Sequence, residues 1–161
     1  MIRNALIEDL NDIVDIYNST IPGRMVTADT EAVSIEDRIP WFNEHNSETR
    51  PLWVMEVDGN IAGWLSLQSF YGRPAYKGTV EVSIYISEKY RGRGMGEKFL
   101  RYAIDNAYKY SVNVLMAFIF GHNEPSLRLF KKNGFEQWGN YPKIAEMDGI
   151  KRDLVILGRY V

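Results

Sequence analysis

The chain has 161 residues, of which 45% are hydrophobic and 25% are charged, and this composition is typical of a single globular domain over residues 1–161. A formal net charge of −2 argues against a nucleic-acid-binding protein, and no apolar run reaches the roughly 20 residues that span a bilayer. Cysteine is absent, which excludes disulfides, thiolate metal sites and a cysteine nucleophile. The N-terminus has no signal-peptide core, so we expect a cytoplasmic protein. From the charge and the lack of a long apolar run we expect neither a nucleic-acid partner nor a membrane partner.

Hydrophobic periodicity and turn residues predict seven strands and four helices in the order β-α-α-β-β-β-α-β-α-β-β. The predicted elements begin with a strand over 2–6, a helix capped by Asp9, a loop over 20–33 and a helix that runs from Ser34 toward His45 across Pro40. A hairpin follows, with strands over 52–57 and 61–67 around Asp58-Gly59-Asn60, and then a loop over 69–78 and a strand over 79–87. The last elements are a long helix through Phe99 to Ala107, a strand over 112–120, a short helix between Asn123 and Gly134, and strands over 135–141 and 152–161. This order predicts an α/β or α+β sandwich rather than a repeating βαβ array.

A glycine-rich turn between the strand over 79–87 and the long helix is the strongest functional signal. Glycine lets a ligand approach the backbone, and the first N–H groups of a helix lack internal partners, so such a turn suits a pyrophosphate. A dinucleotide fingerprint fails because Glu97 stands where the third glycine belongs, and no P-loop occurs. A structural turn with solvated arginines is the alternative. The residues of the turn are Arg91, Gly92, Arg93, Gly94, Met95 and Gly96.

Two motifs in order on the chain resemble those of one enzyme superfamily. The pattern Arg91-x-x-Gly94-x-Gly96 resembles the coenzyme-A motif of the GNAT superfamily of N-acetyltransferases. The block over 123–135, an asparagine followed by a helix that ends in Gly-Phe, resembles the second motif of that superfamily. The resemblance implies a GNAT-like fold, with a mixed, mostly antiparallel sheet of six to seven strands flanked by about four helices, and it implies acetyl-CoA as co-substrate.

A narrower resemblance lies in the strand over 80–86 and in Ile16-Tyr17-Asn18. Both segments are similar to the phosphinothricin and methionine sulfoximine acetyltransferases, a branch with a glutamate at this point of the central strand. This resemblance implies acetylation of small amino-acid-like amines, and it implies a homodimer.

The contacts expected with coenzyme A follow from the same resemblance. Residues 91–96 would hold the pyrophosphate, and Asn123 and Ser126 would touch the cofactor from the other side. Asn123 as a plain helix cap and Ser126 as a polar residue of the first turn are the alternatives. Backbone groups of three strand residues would bind the pantetheine amides as an added strand would, namely Ile84, Tyr85 and Ile86.

Glu81 is the candidate catalytic base, because an alkyl amine with a pKa of about 10 must lose a proton before it attacks a thioester. Strand alternation places Glu81 on one face with Ser83 and Tyr85. A carboxylate that faces solvent or pairs with an arginine is the alternative. Phe130 stands where many members of the superfamily have a tyrosine proposed to protonate the leaving thiolate, and Tyr85 and Tyr141 are both open as substitutes.

Candidate acceptor-binding residues lie on the loop over 69–78. Arg73 can pair with a substrate carboxylate through its planar fork, and Tyr76 lies near it in sequence. A solvated loop arginine is the alternative. His45 and His122 lack partners at metal-ligand spacing, so no metal is expected.

Three functions stay open at this point. The first is an N-acetyltransferase that moves the acetyl group of acetyl-CoA to a small amino-acid-like amine by direct attack in a ternary complex. The second is an N-acetyltransferase that acts on protein N-termini or lysine side chains. The third is a sensor or scaffold that binds acyl-CoA without turnover, a reading that Phe130 favours and Glu81 opposes.

Overall fold

A single seven-stranded sheet crosses the computed structural model, which describes residues 1–161. Its order is β1-β2-β3-β4-β5-β7-β6, with β4 and β5 parallel and all other neighbours antiparallel. The strands are β1 (Ile2–Asn4), β2 (Leu52–Val57), β3 (Asn60–Ser69), β4 (Thr79–Ile86), β5 (Val114–Phe120), β6 (Glu136–Met147) and β7 (Ile150–Tyr160). The helices are α1 (Leu10–Thr20), α2 (Ile35–Asn43), α3 (Met95–Asn106) and α4 (Glu124–Lys132). The predicted fold class and the predicted order of elements are confirmed.

Both faces of the sheet are covered, and β2 shows this in its side chains. Trp53 and Met55 belong to the core on the side of α3 and α4, whereas Leu52 and Val54 belong to the core on the side of α1. All four residues are buried. A strand buried on both faces is continuously apolar, which is why this segment does not alternate with polar residues. None of the helices is long and apolar enough to cross a membrane.

The starts of α1 and α2 differ in how they are capped. The prediction that Asp9 caps α1 is wrong, because its side chain makes no cap hydrogen bond. Its carboxylate instead accepts from Arg3 at 2.8 Å and from the backbone N–H of Leu6 at 2.7 Å, and the Arg3 guanidinium lowers the pKa of Asp9. Ser34 does cap α2, since its hydroxyl accepts the backbone N–H of Asp37 at 3.1 Å.

The last two strands are longer than predicted. They form a hairpin that turns at Asp148-Gly149, with positive φ at both turn residues. Pro142 lies where the pairing of β6 with β7 shifts register, between Tyr141 and Ala145. A register shift tolerates the missing proline N–H, so the strand continues past a residue that normally ends one.

Strands β4 and β5 separate soon after they meet. They pair only from Thr79–Val114 to Glu81–Met116, while β4 remains paired with β3 and β5 with β7 along their lengths. From Val82 onward, the β5 side of β4 has no strand partner. The sheet therefore opens toward the carboxyl ends of these two strands, with Glu81 at the last pair before the opening.

Candidate active site

A groove of about 410 Å³ lies at this opening, between the end of β4 and the N-termini of α3 and α4. All the residues predicted to bind the cofactor line this groove except Arg93, whose guanidinium lies over the Tyr90 ring at 5.5 Å. Phe130 also lines the groove, and this side chain has no hydroxyl group to act as an acid. The lining includes Ile84, Tyr85, Ile86, Arg91, Gly92, Gly94, Met95, Gly96, Asn123 and Ser126.

The glycine turn has the backbone conformation that its sequence requires. Gly92 and Gly94 both have φ of +75°, and Gly94 is the N-cap of α3. A Cβ on Gly96 would lie 3.3 Å from Leu129 Cδ2, so glycine allows α3 and α4 to pack closely. Because the unpaired N–H groups and the positive end of the α3 dipole are at this turn, it can hold an anion.

A segment of the loop after α1 closes one side of the groove through Met25 and Val26. His122 Nε2 donates to the carbonyl of Arg24 at 2.8 Å, and Asn123 Nδ2 donates to the carbonyl of Met25 at 3.2 Å. Asn123 Oδ1 also accepts the backbone N–H of Ser126 at 3.3 Å. Asn123 therefore caps α4 and holds the loop at the same time, and sequence reasoning missed the second contact.

A second cavity of about 180 Å³, here the Glu81 pocket, lies on the α1 and α2 side of the sheet. Glu81 has no hydrogen-bond partner or ion pair within the protein, and burial raises the pKa of its carboxyl group. A carboxylate with a raised pKa holds a proton more strongly, as a general base must. The lining residues are Ile13, Val14, Tyr17, Arg38, Trp41, Trp64, Ser66, Gln68, Glu81, Ser83 and Tyr85.

Aromatic rings form much of the wall of the Glu81 pocket. Tyr85 stacks on Trp64 with ring centroids 4.5 Å apart, and Trp41 meets Trp64 edge-on at 5.3 Å. Burial raises the pKa of Tyr85 well above its usual value, so its hydroxyl stays protonated. Tyr141, the other tyrosine considered as an acid, lies on β6 with 48% of its surface exposed and lines neither cavity.

The groove and the Glu81 pocket meet along β4. A narrow opening of about 60 Å³ between β4 and β5 is lined by Val82, Ser83 and Ile84. Tyr85 lines this opening and both larger cavities, and Ser83 lines the opening and the Glu81 pocket. One strand thus contributes residues to all three cavities, with the candidate base near its start and the glycine turn after its end.

The loop residues predicted to bind the acceptor lie elsewhere. Arg73 and Tyr76 are exposed, and neither lines the Glu81 pocket or the groove. Their contact with an acceptor stays a prediction. The positive side chain that does line the pocket is Arg38, which sequence reasoning missed because Glu36-Asp37-Arg38 is typical of a solvated first helical turn.

Residues 10–135 match the acetyltransferase (GNAT) family. The chain belongs to this family. The match confirms the resemblance based on the two motifs, and the protein is an acetyltransferase.

Relatives agree with the narrower resemblance. The chain is 57% identical over 159 residues to YwnH of Bacillus subtilis (strain 168), which is provisionally named a phosphinothricin acetyltransferase, and the match covers 98% of this chain and 97% of that one. It is 29% identical to the L-methionine sulfoximine/L-methionine sulfone acetyltransferase of Pseudomonas aeruginosa, over 97% and 91% of the two chains.

A solved structure extends the comparison to a complex. The phosphinothricin acetyltransferase of Sinorhizobium meliloti, in complex with acetyl-CoA, superposes with a TM-score of 0.93 at 25% identity and covers 100% of this chain and 88% of that one.

Proposed function

We propose that this GNAT-family acetyltransferase transfers the acetyl group of acetyl-CoA to the primary amine of a small amino-acid-like acceptor. The observation that carries the proposal is Glu81, a half-buried carboxylate without a partner within the protein, in a pocket that shares Tyr85 with the groove. The Sinorhizobium relative was solved in complex with acetyl-CoA and shares the fold of this chain, whose groove at the glycine turn has room for such a molecule.

Acetyl-CoA would lie with its pyrophosphate at residues 91–96 and its pantetheine along the unpaired edge of β4. The backbone of Ile84, Tyr85 and Ile86 would bind the pantetheine amides, because this edge has no strand partner. Asn123 and Ser126 would contact the cofactor from α4, and Arg93 would approach the phosphates from outside the groove. The thioester would then reach the narrow opening beside Ser83.

The chemistry assigned to the pocket begins with proton removal. Glu81, directly or through water, takes a proton from the acceptor ammonium, and the free nitrogen attacks the thioester carbon. A C–N bond forms, the C–S bond breaks and the coenzyme-A thiolate leaves. The new amide nitrogen then loses its remaining extra proton, which the thiolate takes up to give the free thiol. A thiol with a usual pKa of about 8.5 is a tolerable leaving group, so the absence of a hydroxyl on Phe130 does not prevent the step. With no cysteine in the chain, direct transfer in a ternary complex is favoured.

The size and walls of the pocket favour a small acceptor. A volume of about 180 Å³ enclosed by α1, α2 and the sheet suits a free amino acid better than a peptide chain. The Pseudomonas relative acts on methionine sulfoximine and methionine sulfone, which are compounds of this size class.

A thiol-release assay with acetyl-CoA tests the proposal. The acceptor panel holds phosphinothricin, methionine sulfoximine, methionine sulfone, a polyamine, and peptides with a free N-terminus or a lysine. Turnover of the amino-acid-like compounds supports the proposal, and turnover of peptides alone contradicts it. Tight acetyl-CoA binding without turnover of any acceptor supports the sensor instead.

A homodimer and a cytoplasmic location rest on the resemblance and on the composition. Size-exclusion chromatography with light scattering tests the dimer, for which the expected mass is twice the 18.6 kDa of one chain.

A further inference from the structure

Arg38 places a fixed positive charge in the wall of the Glu81 pocket. Its guanidinium carbon lies 4.5 Å from the centroid of the Tyr17 ring and 5.7 Å from that of Trp41. Its Nη2 donates to Asp29 Oδ2 at 3.2 Å, and 23% of its side chain is exposed. Two aromatic faces and a carboxylate therefore hold the guanidinium in one orientation.

Most hydrogen-bonding capacity of Arg38 is not used within the protein. A guanidinium carries five N–H donors, and Asp29 takes one of them. No other protein acceptor lies within hydrogen-bond distance of this side chain. Asp29 is itself engaged, because its Oδ2 also accepts from the Tyr17 hydroxyl. The remaining donors are available to a molecule in the pocket.

The pocket is lined by one negatively charged side chain and one positively charged side chain. Glu81 and Arg38 are its two charged lining residues, and they form no ion pair with each other. They lie on separate walls, one on β4 and one on α2. A free amino acid carries the complementary pair, an ammonium and a carboxylate a few bonds apart.

We propose that Arg38 binds the carboxylate of the acceptor amino acid while the acceptor amine lies at Glu81. The inference rests on the proposed function, because it requires that an acceptor amine occupies the Glu81 pocket. Paired N–H donors in a plane match the two oxygens of a carboxylate, so the contact discriminates against amines that lack one. Asp29 and Tyr17 act as positioning residues for the guanidinium.

The test compares an acid with its amide. Isothermal titration measures the binding of L-methionine sulfone and of its carboxamide to enzyme saturated with coenzyme A. Hydrogen bonds to charged groups contribute enough that Arg38→Gln should weaken binding of the acid by about 10- to 100-fold. Binding of the amide should change by less than about threefold. The affinity of Arg38→Lys for the acid should lie between those of the native enzyme and Arg38→Gln, since lysine offers a point charge rather than a planar fork.

Two matched variants make the comparison specific. Arg73→Gln tests the competing carboxylate site that the sequence suggested on the loop over 69–78, and Arg101→Gln, which removes an exposed charge on α3, is the control. Arg101→Gln should leave the preference for the acid unchanged. Thermal unfolding of each variant checks that its fold is retained. An equal loss for acid and amide in Arg38→Gln overturns the inference, as does an acid-specific loss in Arg73→Gln or equal binding of the two compounds by the native enzyme.

Thiol release separates this inference from the proposed function. Binding of the acid that depends on Arg38, without thiol release from acetyl-CoA, contradicts the acetyltransferase reaction but supports the carboxylate site. Thiol release with equal kcat/KM for acid and amide supports the reaction but overturns the role of Arg38.

Discussion

Desolvation opposes the ionisation of Glu81, and this has a consequence for the pH dependence of activity. Burial raises the pKa of its carboxyl group, and no cation pairs with it. As a base, Glu81 must be ionised, so activity should be full above its raised pKa and should fall as the pH drops through that value.

Replacement of the candidate base gives the first prediction. Glu81→Gln should lower kcat at pH 7.5 by about 10²- to 10⁴-fold and leave acetyl-CoA affinity within about twofold. The activity of the native enzyme should depend on the ionisation of one group, and the activity of the variant should not. Thiol release across a pH series measures kcat and its pH dependence, with Glu136→Gln, a change at an exposed residue of β6, as control. Full activity of Glu81→Gln at pH 7 would rule out Glu81 as the base.

Two glycines with nearly the same backbone conformation separate the role of the glycine turn in acetyl-CoA binding from the backbone strain that any added Cβ causes. Gly94 has φ of +75° and Gly59, in the β2–β3 turn, has φ of +78°, and a Cβ on either would meet no atom within 4 Å. Alanine at either position should cost about 1–2 kcal/mol of folding free energy, because left-handed backbone disfavours a Cβ. Gly94→Ala alone should raise the Kd for acetyl-CoA, by about tenfold or more. Titration calorimetry measures this, and an equal Kd for the two variants would remove the pyrophosphate from this turn.

At the scale of elements, the Asn123 side chain joins the N-terminus of α4 to the loop after α1, next to the contact between His122 and the carbonyl of Arg24. Asn123→Ser keeps a capping hydroxyl but is too short to reach the carbonyl of Met25. We expect it to weaken acetyl-CoA binding by about 2- to 12-fold, the value of one hydrogen bond. It should also speed native-state tryptic cleavage after Arg24.

The control for this prediction removes a different cap. Ser34→Ala should lower stability by about 0.5–2 kcal/mol through the N-terminus of α2, while cleavage after Arg24 and acetyl-CoA affinity stay native. If Asn123→Ser showed native affinity and native cleavage, the loop would not depend on this contact.

Elements defined by local pattern were the predictable ones. The β2–β3 hairpin was predicted because Asp58-Gly59 favours a tight turn, and α4 because Asn123 caps it and Gly134 ends it with φ of +85°. The tip of the β6–β7 hairpin was missed because Pro142 suggests an end to the strand, and only pairing with β7 shows that the strand continues.

The same distinction holds for the site. The glycine turn is contiguous in sequence, so its conformation and its place before α3 could be predicted. The pocket is not contiguous: Arg38 reaches it because α2 packs beside α1, and no local pattern indicates that packing. The glycine turn was therefore predictable and Glu81 was reached through the family resemblance, whereas the place of Arg38 in the pocket needed the tertiary structure.

For the whole molecule, the sheet behaves as two parts that meet over three residue pairs. One part runs from β1 to β4 and the other holds β5, β7 and β6, with Glu81–Met116 as the last pair that joins them. Each part keeps its own partners, so the opening between them costs no pairing within either. The candidate base lies at the last residue pair before this opening and lines the Glu81 pocket.

At this position the ionised form of Glu81 lowers the stability of the fold. Because the pKa of Glu81 is raised in the folded state, the contribution of its carboxyl group to the free energy of unfolding is fully present below the unfolded pKa and is lost as the pH rises through the folded pKa. Glutamine does not ionise, so Glu81→Gln does not lose this free energy at high pH. The variant should therefore unfold at a higher temperature than the native enzyme at pH 8, and the difference should shrink as the pH falls toward 4.

Calorimetric melting from pH 4 to pH 8 measures this, and each kcal/mol gained should raise Tm by about 2–4 °C in a chain of this size. Glu136→Gln should show no comparable pH-dependent gain, because that side chain is exposed. A variant that loses activity and gains stability is expected when a functional group is held in unfavourable surroundings. A Tm difference that stays constant with pH would mean that the protonation of Glu81 is not coupled to folding.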